Sequence, residues 1–301
     1  MLFSKQPTPK DKKIAVIGTS PLAFYLSDTF IENGYDVKQI VPLNLLDNFT
    51  HSDTITIKSS LYKNHRREFS FESELKAPID FCFLASSPEN YRNDLLLLLT
   101  TPLLKNIPLI NFSNYYNHRL FNEQKDYQEI PAFFKGWINF DGETLQPLEK
   151  QSRLILECPL EKTVGIKKLF NDTPFNLIFT EKSKNTFCQN LAAFFLTNLL
   201  LISYNKTISR IFADKETRAI ADKAIKELCF LAKKEKVSIE PSKILTDIYA
   251  CPDEYKSEFS SAKGIHVLGQ LIQNLTPFET LIPKRCLRRL HLLKRRKCKI
   301  F

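Results

Sequence analysis

Residues 12–42, KKIAVIGTSPLAFYLSDTFIENGYDVKQIVP, decide the fold. Ile14, Ala15, Val16 and Ile17 form a short apolar run between lysines and Gly18, the pattern of a strand buried on both faces. Gly18-Thr19-Ser20-Pro21 reads as a turn. Pro21 suits the first position of a helix, where its missing N–H would have had no helical partner. Leu22, Tyr25, Leu26, Phe30 and Ile31 follow at helical spacing. Gly34 is the residue type that closes a helix in the left-handed conformation. A second apolar run covers 37–41. Strand, tight turn, helix, glycine and strand make the first βαβ unit of a dinucleotide-binding fold, with a pyrophosphate expected near Ser20, Pro21 and Leu22.

The phosphate fingerprint G-x-G-x-x-G reads here as Gly18-x-Ser20-x-x-Ala23. Gly18 keeps the turn, and Ala23 is small enough for close helix–strand packing. Ser20 narrows the approach to a pyrophosphate but brings a hydroxyl donor of its own. The alternative is a βαβ unit whose helix terminus holds only water.

Outward from this unit the pattern continues. Segment 54–58 alternates like a strand, 62–67 is basic and 68–71 alternates again. Residues 79–85 form another buried strand, followed by the turn Ser86-Ser87-Pro88-Glu89. α/β folds place ligands at such strand C-termini, and Ser86 and Ser87 are candidates for cofactor contact or for capping the next helix, 93–104. Residues 108–112 form one more strand, leading to Ser113-Asn114. Short alternating segments within 131–158, with a turn at Asp141-Gly142, suggest a small antiparallel extension. A helix over 161–170 and a strand over 176–179 complete the first half. Beyond 181 the periodicity is helical: 183–204, 207–236, 241–249, 258–274 and 283–297. The expected fold is therefore a doubly wound Rossmann-type sheet over 1–180 and an all-helical domain over 181–301, an α/β two-domain plan.

Composition agrees. The 301 residues carry 43% hydrophobic and 25% charged side chains, which are globular values. The longest apolar run, 191–202, is interrupted by Thr197 and Asn198 and is expected to fall short of a membrane span. Residues 1–12 lack the apolar core of a signal peptide, so a cytoplasmic location is expected. Seven cysteines without C-x-x-C spacing point to buried free thiols and to no metal site. The net charge of +10 is concentrated in 284–299, which holds nine Lys/Arg and no acid. Leu287, Leu290 and Leu293 lie at helical spacing there, so the tail reads as an amphipathic helix and no nucleic-acid partner is expected.

At the level of motifs the chain resembles the ketopantoate reductase (2-dehydropantoate 2-reductase) family, in its divergent second-type branch. KIAVIG with NGYDV matches the family's first βαβ, and DFCFLASSPENYRNDLL looks like its fourth strand and following helix. PLINFSN is similar to the next strand, whose cofactor-contacting asparagine falls on Asn114. NLAAFFLT resembles the family's long helix, with Asn190 and Thr197 at the spacing of its asparagine and threonine. KAIKELCFLAKKEKVSI looks like the next helix, and SEFSSAKGIHVLGQLI with TPFETLI like the closing segment. There the family's substrate-binding serine and acid fall on Ser260 or Ser261 and on Glu258. The resemblance implies NADPH-dependent reduction of a small 2-keto acid, with a homodimer as one assembly it allows.

The departures are specific. The family's catalytic lysine falls on Thr186, the lysine after its fourth strand on Ser87, and a second helix asparagine on Phe194. Lys184 is the first candidate to replace the lysine at 186 and Lys182 the second, since a lysine supplies both charge and proton to a carbonyl oxygen. The reacting carbon is expected where the two halves meet, with Asn190 facing it. The second strand ends Val41-Pro42-Leu43-Asn44 with no acid for a ribose 2′-hydroxyl, which leans to NADP(H); Arg66 and Arg67 could meet a 2′-phosphate only if their loop folds back. The competing reading is a catalytically degenerate Rossmann-fold protein that binds a nucleotide or regulates.

Overall fold

The computed structural model describes residues 11–46, 52–58, 64–87, 90–112, 128–148, 152–181, 183–234 and 236–257. Lys182, Asn114, Glu258, Ser260, Ser261 and the basic tail lie outside these residues, as do the expected helices 258–274 and 283–297. The chain divides into two compact units, Met1–Glu181 and Lys182–Phe301.

The first unit is built on β1 (Lys13–Ile17), β2 (Asp36–Ile40), β4 (His65–Glu72), β5 (Phe81–Leu84), β6 (Pro108–Asn111) and β7 (Gln128–Lys135). These six lie side by side, all parallel, in the order β4-β2-β1-β5-β6-β7. Counted among themselves the order is 3-2-1-4-5-6, the doubly wound dinucleotide-binding arrangement. Alternate side chains of β1 explain why its sequence is apolar throughout. Ile14 and Val16 pack with α1 (Pro21–Glu32), whereas Ala15 and Ile17 pack with α3 (Tyr91–Thr100) on the other face.

Five further strands extend the sheet to eleven. Between β2 and β4 the described residues form the short α2 (Leu43–Leu46) and β3 (Ser52–Ile57), which pairs antiparallel with β4. Then β9 (Thr144–Pro147) joins β3, and β8 (Ile138–Phe140) joins β9 through the turn at Asp141. Asp141 Oδ1 accepts from the N–H groups of Glu143 and Thr144 there. At the opposite end β10 (Ser152–Glu157) runs antiparallel to β7, and β11 (Phe175–Thr180) parallel to β10, with α4 (Thr163–Leu169) between them. The expected antiparallel extension is thus split between the two edges, because β7 belongs to the parallel core.

Strands from both ends of this sheet enclose α1. Eight consecutive residues, 23–30, are buried, so the helix has no solvent face in this stretch. Phe24 packs edge-on against Phe69 and Phe71 of β4 and, tilted, against Phe140 of β8. Tyr25 meets Phe175 of β11, and Phe30 meets Phe83 of β5 and Phe170. The helix closes as its sequence suggests. Gly34 at φ +80 lets its own N–H reach Ile31 O and the Tyr35 N–H reach Phe30 O, a Schellman motif. The Phe30 and Tyr35 rings, 5.9 Å apart, supply the apolar contact that accompanies it.

A helix buried this far must satisfy its polar residues internally. Asp28 accepts from Arg67 Nε at 2.8 Å and lies 2.9 Å from His65 Nε2, and Arg67 also donates to Glu32. Asp28, Glu32 and His65 would be close enough for a metal, but the Arg67 guanidinium already holds both carboxylates, so the group is an ion-pair clamp of α1 on β4. Cys82, Cys158, Cys188, Cys229 and Cys251 are free thiols.

Every element described in the second unit is an α-helix: α5 (Ser183–Tyr204), α6 (Ile208–Ala213), α7 (Lys215–Lys234) and α8 (Pro241–Tyr249). The sequence suggests one helix over 207–236; the structure breaks it at Asp214. There the backbone is extended and Asp214 Oδ1 accepts the Thr217 N–H, so an aspartate cap starts α7. Helix α5 corrects a second expectation. Residues 185–204 are long and apolar enough to cross a membrane by length and composition, with mean hydropathy 1.4, but 61% of the stretch is buried inside the protein. Two of its polar side chains tie it to the segments around it. The Gln189 amide brackets Glu240 ahead of α8, donating to its carbonyl and accepting its N–H at 2.7 Å. Asn198 Oδ1 accepts from Tyr255 and from Ser257.

The clamp gives a direct test. Arg67→Ala leaves the Asp28 carboxylate buried without its guanidinium, and should cost about 3–5 kcal/mol in urea unfolding. A loss below about 1 kcal/mol would show that the clamp does not hold α1.

Candidate functional site

The strand order reverses between β1 and β5, since β2 lies on one side of β1 and β5 on the other. Open α/β sheets bind ligands beyond the strand C-termini at this switch point. The described residues there are Gly18 to Leu22 after β1, and Ala85, Ser86, Ser87 and Asn90 after β5.

Gly18 has φ +117, a conformation L side chains rarely adopt. A Cβ at this position would lie 2.5 Å from Ala85 O and 2.9 Å from Ala85 C, backbone atoms that cannot turn away. The turn is therefore seated directly on the end of β5. The Gly18 N–H reaches Ile40 O at 3.2 Å, and its carbonyl accepts from Gln39 Nε2 at 3.1 Å, which ties the turn to β2 as well.

Ser20 is the N-cap of α1. Its Oγ accepts the Ala23 N–H at 3.1 Å and donates to Ala85 O at 2.6 Å. Its single hydroxyl hydrogen is thereby engaged, so the donor expected for a phosphate must come from the backbone. Pro21 has no N–H, and the Leu22 N–H makes no hydrogen bond to a described residue. An anion over this turn would meet that open amide and the positive end of a 12-residue helix. A glycine whose place no side chain can fill and an open helix terminus suit a pyrophosphate.

The second loop is linked to the first by Asn90, whose Nδ2 lies 3.4 Å from Thr19 Oγ1. Asn90 is also the N-cap of α3, a role expected for Ser86 or Ser87. Ser86 is buried and Ser87 half-buried. Below them the structure reveals a residue that motif reading missed. Asp94, in the first turn of α3, is 1% exposed, and burial pushes its carboxyl up to about 7, offset in part by the Ser86 hydroxyl. The signal was present in the spacing, because Tyr91, Asp94, Leu95 and Leu98 share the buried face of α3. Farther along the same side, Asn111 Nδ2 donates to Glu129 Oε1 at 2.8 Å. Burial, together with Glu157, raises the Glu129 carboxyl. Tyr91 is pushed up to about 12 by burial and by Glu129.

Arg66 and Arg67 do not reach the β2 end of this site. Both lie early in β4, whose last residue, Glu72, is the one paired with Ile40. Six residues of strand separate Arg66 from that edge, about 20 Å. Arg67 is moreover held by Asp28 and Glu32.

The candidates in the second unit lie along α5. Lys184 stands in its first turn. Asn190 is 6% exposed and donates to the Thr186 carbonyl at 2.7 Å. Thr197 is fully buried with its hydroxyl on Ala193 O, so its first role is in the helix itself. Thr186 is half-buried and carries no group that could serve in place of a lysine.

No protein-family model matches the sequence, and no curated protein matches it. Among solved structures the chain is similar to a dimeric ketopantoate reductase from Staphylococcus aureus, at 12% identity and TM-score 0.71, over 94% of this chain and 97% of that one. It is similar to a ketopantoate reductase from Ralstonia eutropha JMP134, at 14% identity and TM-score 0.72, over 94% and 97%. It is also similar to a D-mandelate dehydrogenase solved with NADH, at 12% identity and TM-score 0.72, over 95% and 99%. Likeness at this identity shows a shared fold.

Asp94 sets a pH dependence with a definite sign. Its folded carboxyl titrates near 7 and its unfolded one near 3.8, so between these values only the folded state keeps the proton. The stability linked to Asp94 is complete below about pH 4 and is lost as pH rises through 7. Asp94→Asn should therefore unfold at higher urea than the parent at pH 8, by on the order of 4 kcal/mol, with no gain at pH 4. A gain of equal size at both pH values would exclude titration of Asp94 as its cause.

Proposed function

We propose that this protein is an NADPH-dependent reductase of a small 2-keto acid, with 2-dehydropantoate as the substrate and pantoate as the product. The observation that carries the reading is the Gly18 turn seated on the end of β5 at the switch point, within a fold shared with ketopantoate reductases and D-mandelate dehydrogenase. The bound nicotinamide would supply the hydride. Gly18, Thr19, Pro21 and Leu22 receive the pyrophosphate, Ser20 holds the turn in shape, and Ser86, Ser87 and Asn114 receive the nicotinamide half. The absence of an acid in Val41-Pro42-Leu43-Asn44 is what supports NADP(H).

The keto oxygen gains negative charge as hydride arrives and must then take up a proton. Lys184, or Lys182 one residue before α5, delivers charge and proton to that oxygen. The first turn of a helix disfavours a positive charge, which eases release of the proton. Asn190 orients the substrate, and Thr197, Glu258 and Ser260 or Ser261 complete its binding. A homodimer is the proposed assembly. One observation favours a second reading, a Rossmann-fold module that binds a nucleotide without turning over. Thr186 stands where the resemblance requires a lysine, and its neutral hydroxyl supplies neither the positive charge nor the acidity of an ammonium.

The two readings separate by measurement. NADPH and NADH are titrated against the protein, and loss of the reduced cofactor's near-UV absorbance is followed with a panel of 2-keto acids. Turnover with a branched 2-keto acid is expected; saturable binding without turnover on any 2-keto acid supports the module. Lys184→Ala and Asn190→Ala should each slow turnover roughly tenfold or more while leaving NADPH affinity almost unchanged. A loss of NADPH affinity equal to the loss of turnover would move both residues to the cofactor.

A further inference from the structure

Asp94 is a buried acid that the proposed chemistry does not use. It lies four residues after Asn90, its N–H donates to Asn90 O, and helical side chains point back toward the N-terminus. Its carboxyl is therefore placed toward Ser86 and Asn90 beyond the end of β5, where Asn90 touches Thr19 and Ala85 supports Gly18 and Ser20. Both carboxyl oxygens are fully enclosed, and the neighbouring Ser87 hydroxyl, equally enclosed, has no partner among the described residues.

The groups around the carboxyl are few. The Ser86 hydroxyl acts on it from the end of β5, and Ser86 Cα stands 3.0 Å from where a Gly18 Cβ would lie, while Tyr91, one turn earlier on α3, shares its buried face. Glu129 of β7 acts on Tyr91, not on Asp94. Among the described residues no charged side chain acts on Asp94, so nothing there neutralises an ionised carboxylate beside an anionic ligand.

We propose that Asp94 is a positioning residue that couples dinucleotide binding to protonation: the ligand's pyrophosphate seats at the Gly18 turn only with the Asp94 carboxyl neutral. This rests on the dinucleotide reading above. Two negative charges flanking the same loop repel each other across a poorly solvated region, which favours the neutral acid when the ligand is bound. Binding above neutrality then takes one proton from the buffer onto the Asp94 carboxylate. By reciprocity, each pH unit above the folded titration weakens binding. The negative charge also explains why a fully buried acid stands at this position without a cation, since an arginine or lysine partner would fix it in the ionised form.

The test uses the full chain and ADP-ribose, whose pyrophosphate does not titrate between pH 6 and 9. Calorimetry at pH 6.5 and 8.5, in buffers of different ionisation enthalpy, reads affinity and proton uptake together. The parent protein should bind roughly 25-fold more weakly at pH 8.5 than at pH 6.5, with uptake approaching one proton at pH 8.5. Asp94→Asn should bind equally at both pH values with no buffer dependence, whereas Glu129→Gln should keep the parental profile. Ser86→Ala, which removes the one group that lowers the Asp94 titration, should move the midpoint to higher pH and serves if Asp94→Asn does not fold. A parental slope retained in Asp94→Asn, or an unmoved midpoint in Ser86→Ala, overturns the coupling. Tight binding by the parent with no pH dependence overturns the coupling and leaves the dinucleotide site standing. No binding of ADP-ribose or NADPH at any pH overturns both.

Discussion

Gly18 has no side chain because there is no space for one, and much of the first unit follows from that contact. With Ala85 O only 2.5 Å from where a Cβ would stand, the chain leaving β1 can turn directly over the end of β5. That fixes where α1 begins, and the Ser20 cap, which holds both Ala23 N–H and Ala85 O, fixes its direction. A helix so directed runs back across one face of the sheet, and α3 covers the other. The approach that makes the turn compact also leaves the Leu22 amide open at the switch point. Local packing and the proposed binding chemistry thus share one residue, and a loss of binding in a Gly18 variant reports on both.

The enclosure of α1 shows how the sheet became eleven strands wide. A two-faced parallel sheet needs helices on both sides. On the α1 side the aromatic rings of β4, β8 and β11 close around α1, and Ile166 and Leu169 of α4 join the same cluster, so strands share the covering that helices do in other doubly wound proteins. Burial of residues 23–30 puts the Asp28 carboxylate in need of a partner, and the Asp28–Arg67–His65 group meets that need. Asp94 on the opposite face has no such charged partner among the described residues. One buried acid is therefore a tether, and the other is left able to change charge.

The sequence made some of this readable and withheld the rest for identifiable reasons. The first βαβ was legible because three independent signals agreed: an apolar run, Pro21 after the glycine turn, and Gly34 at the helix end. Helices 183–204 and 241–249 were legible from long periodic patterns. The break at Asp214 was hidden because an aspartate cap inside a helical pattern looks like one more polar position. Ser20 was read as a donor toward ligand because its contact with Ala85 lies 65 residues away in sequence. Asp94 escaped because motif matching attends to strand ends, while its burial depends on the helix face shared with Tyr91 and Leu98. The reach of Arg66 and Arg67 depended on a fold-back that the sequence could not show; with β4 parallel to β2, both fall at its far end.

The claim on which the account turns is that the Gly18 turn is the pyrophosphate site of a dinucleotide cofactor. A crystal structure of the protein grown with NADPH tests it most directly. The account predicts the pyrophosphate over the turn, within hydrogen-bond distance of the Leu22 N–H, with the nicotinamide half on the side of Ser86 and Ser87. A dinucleotide bound elsewhere on the chain, or a turn that stays empty at saturating NADPH, would contradict it.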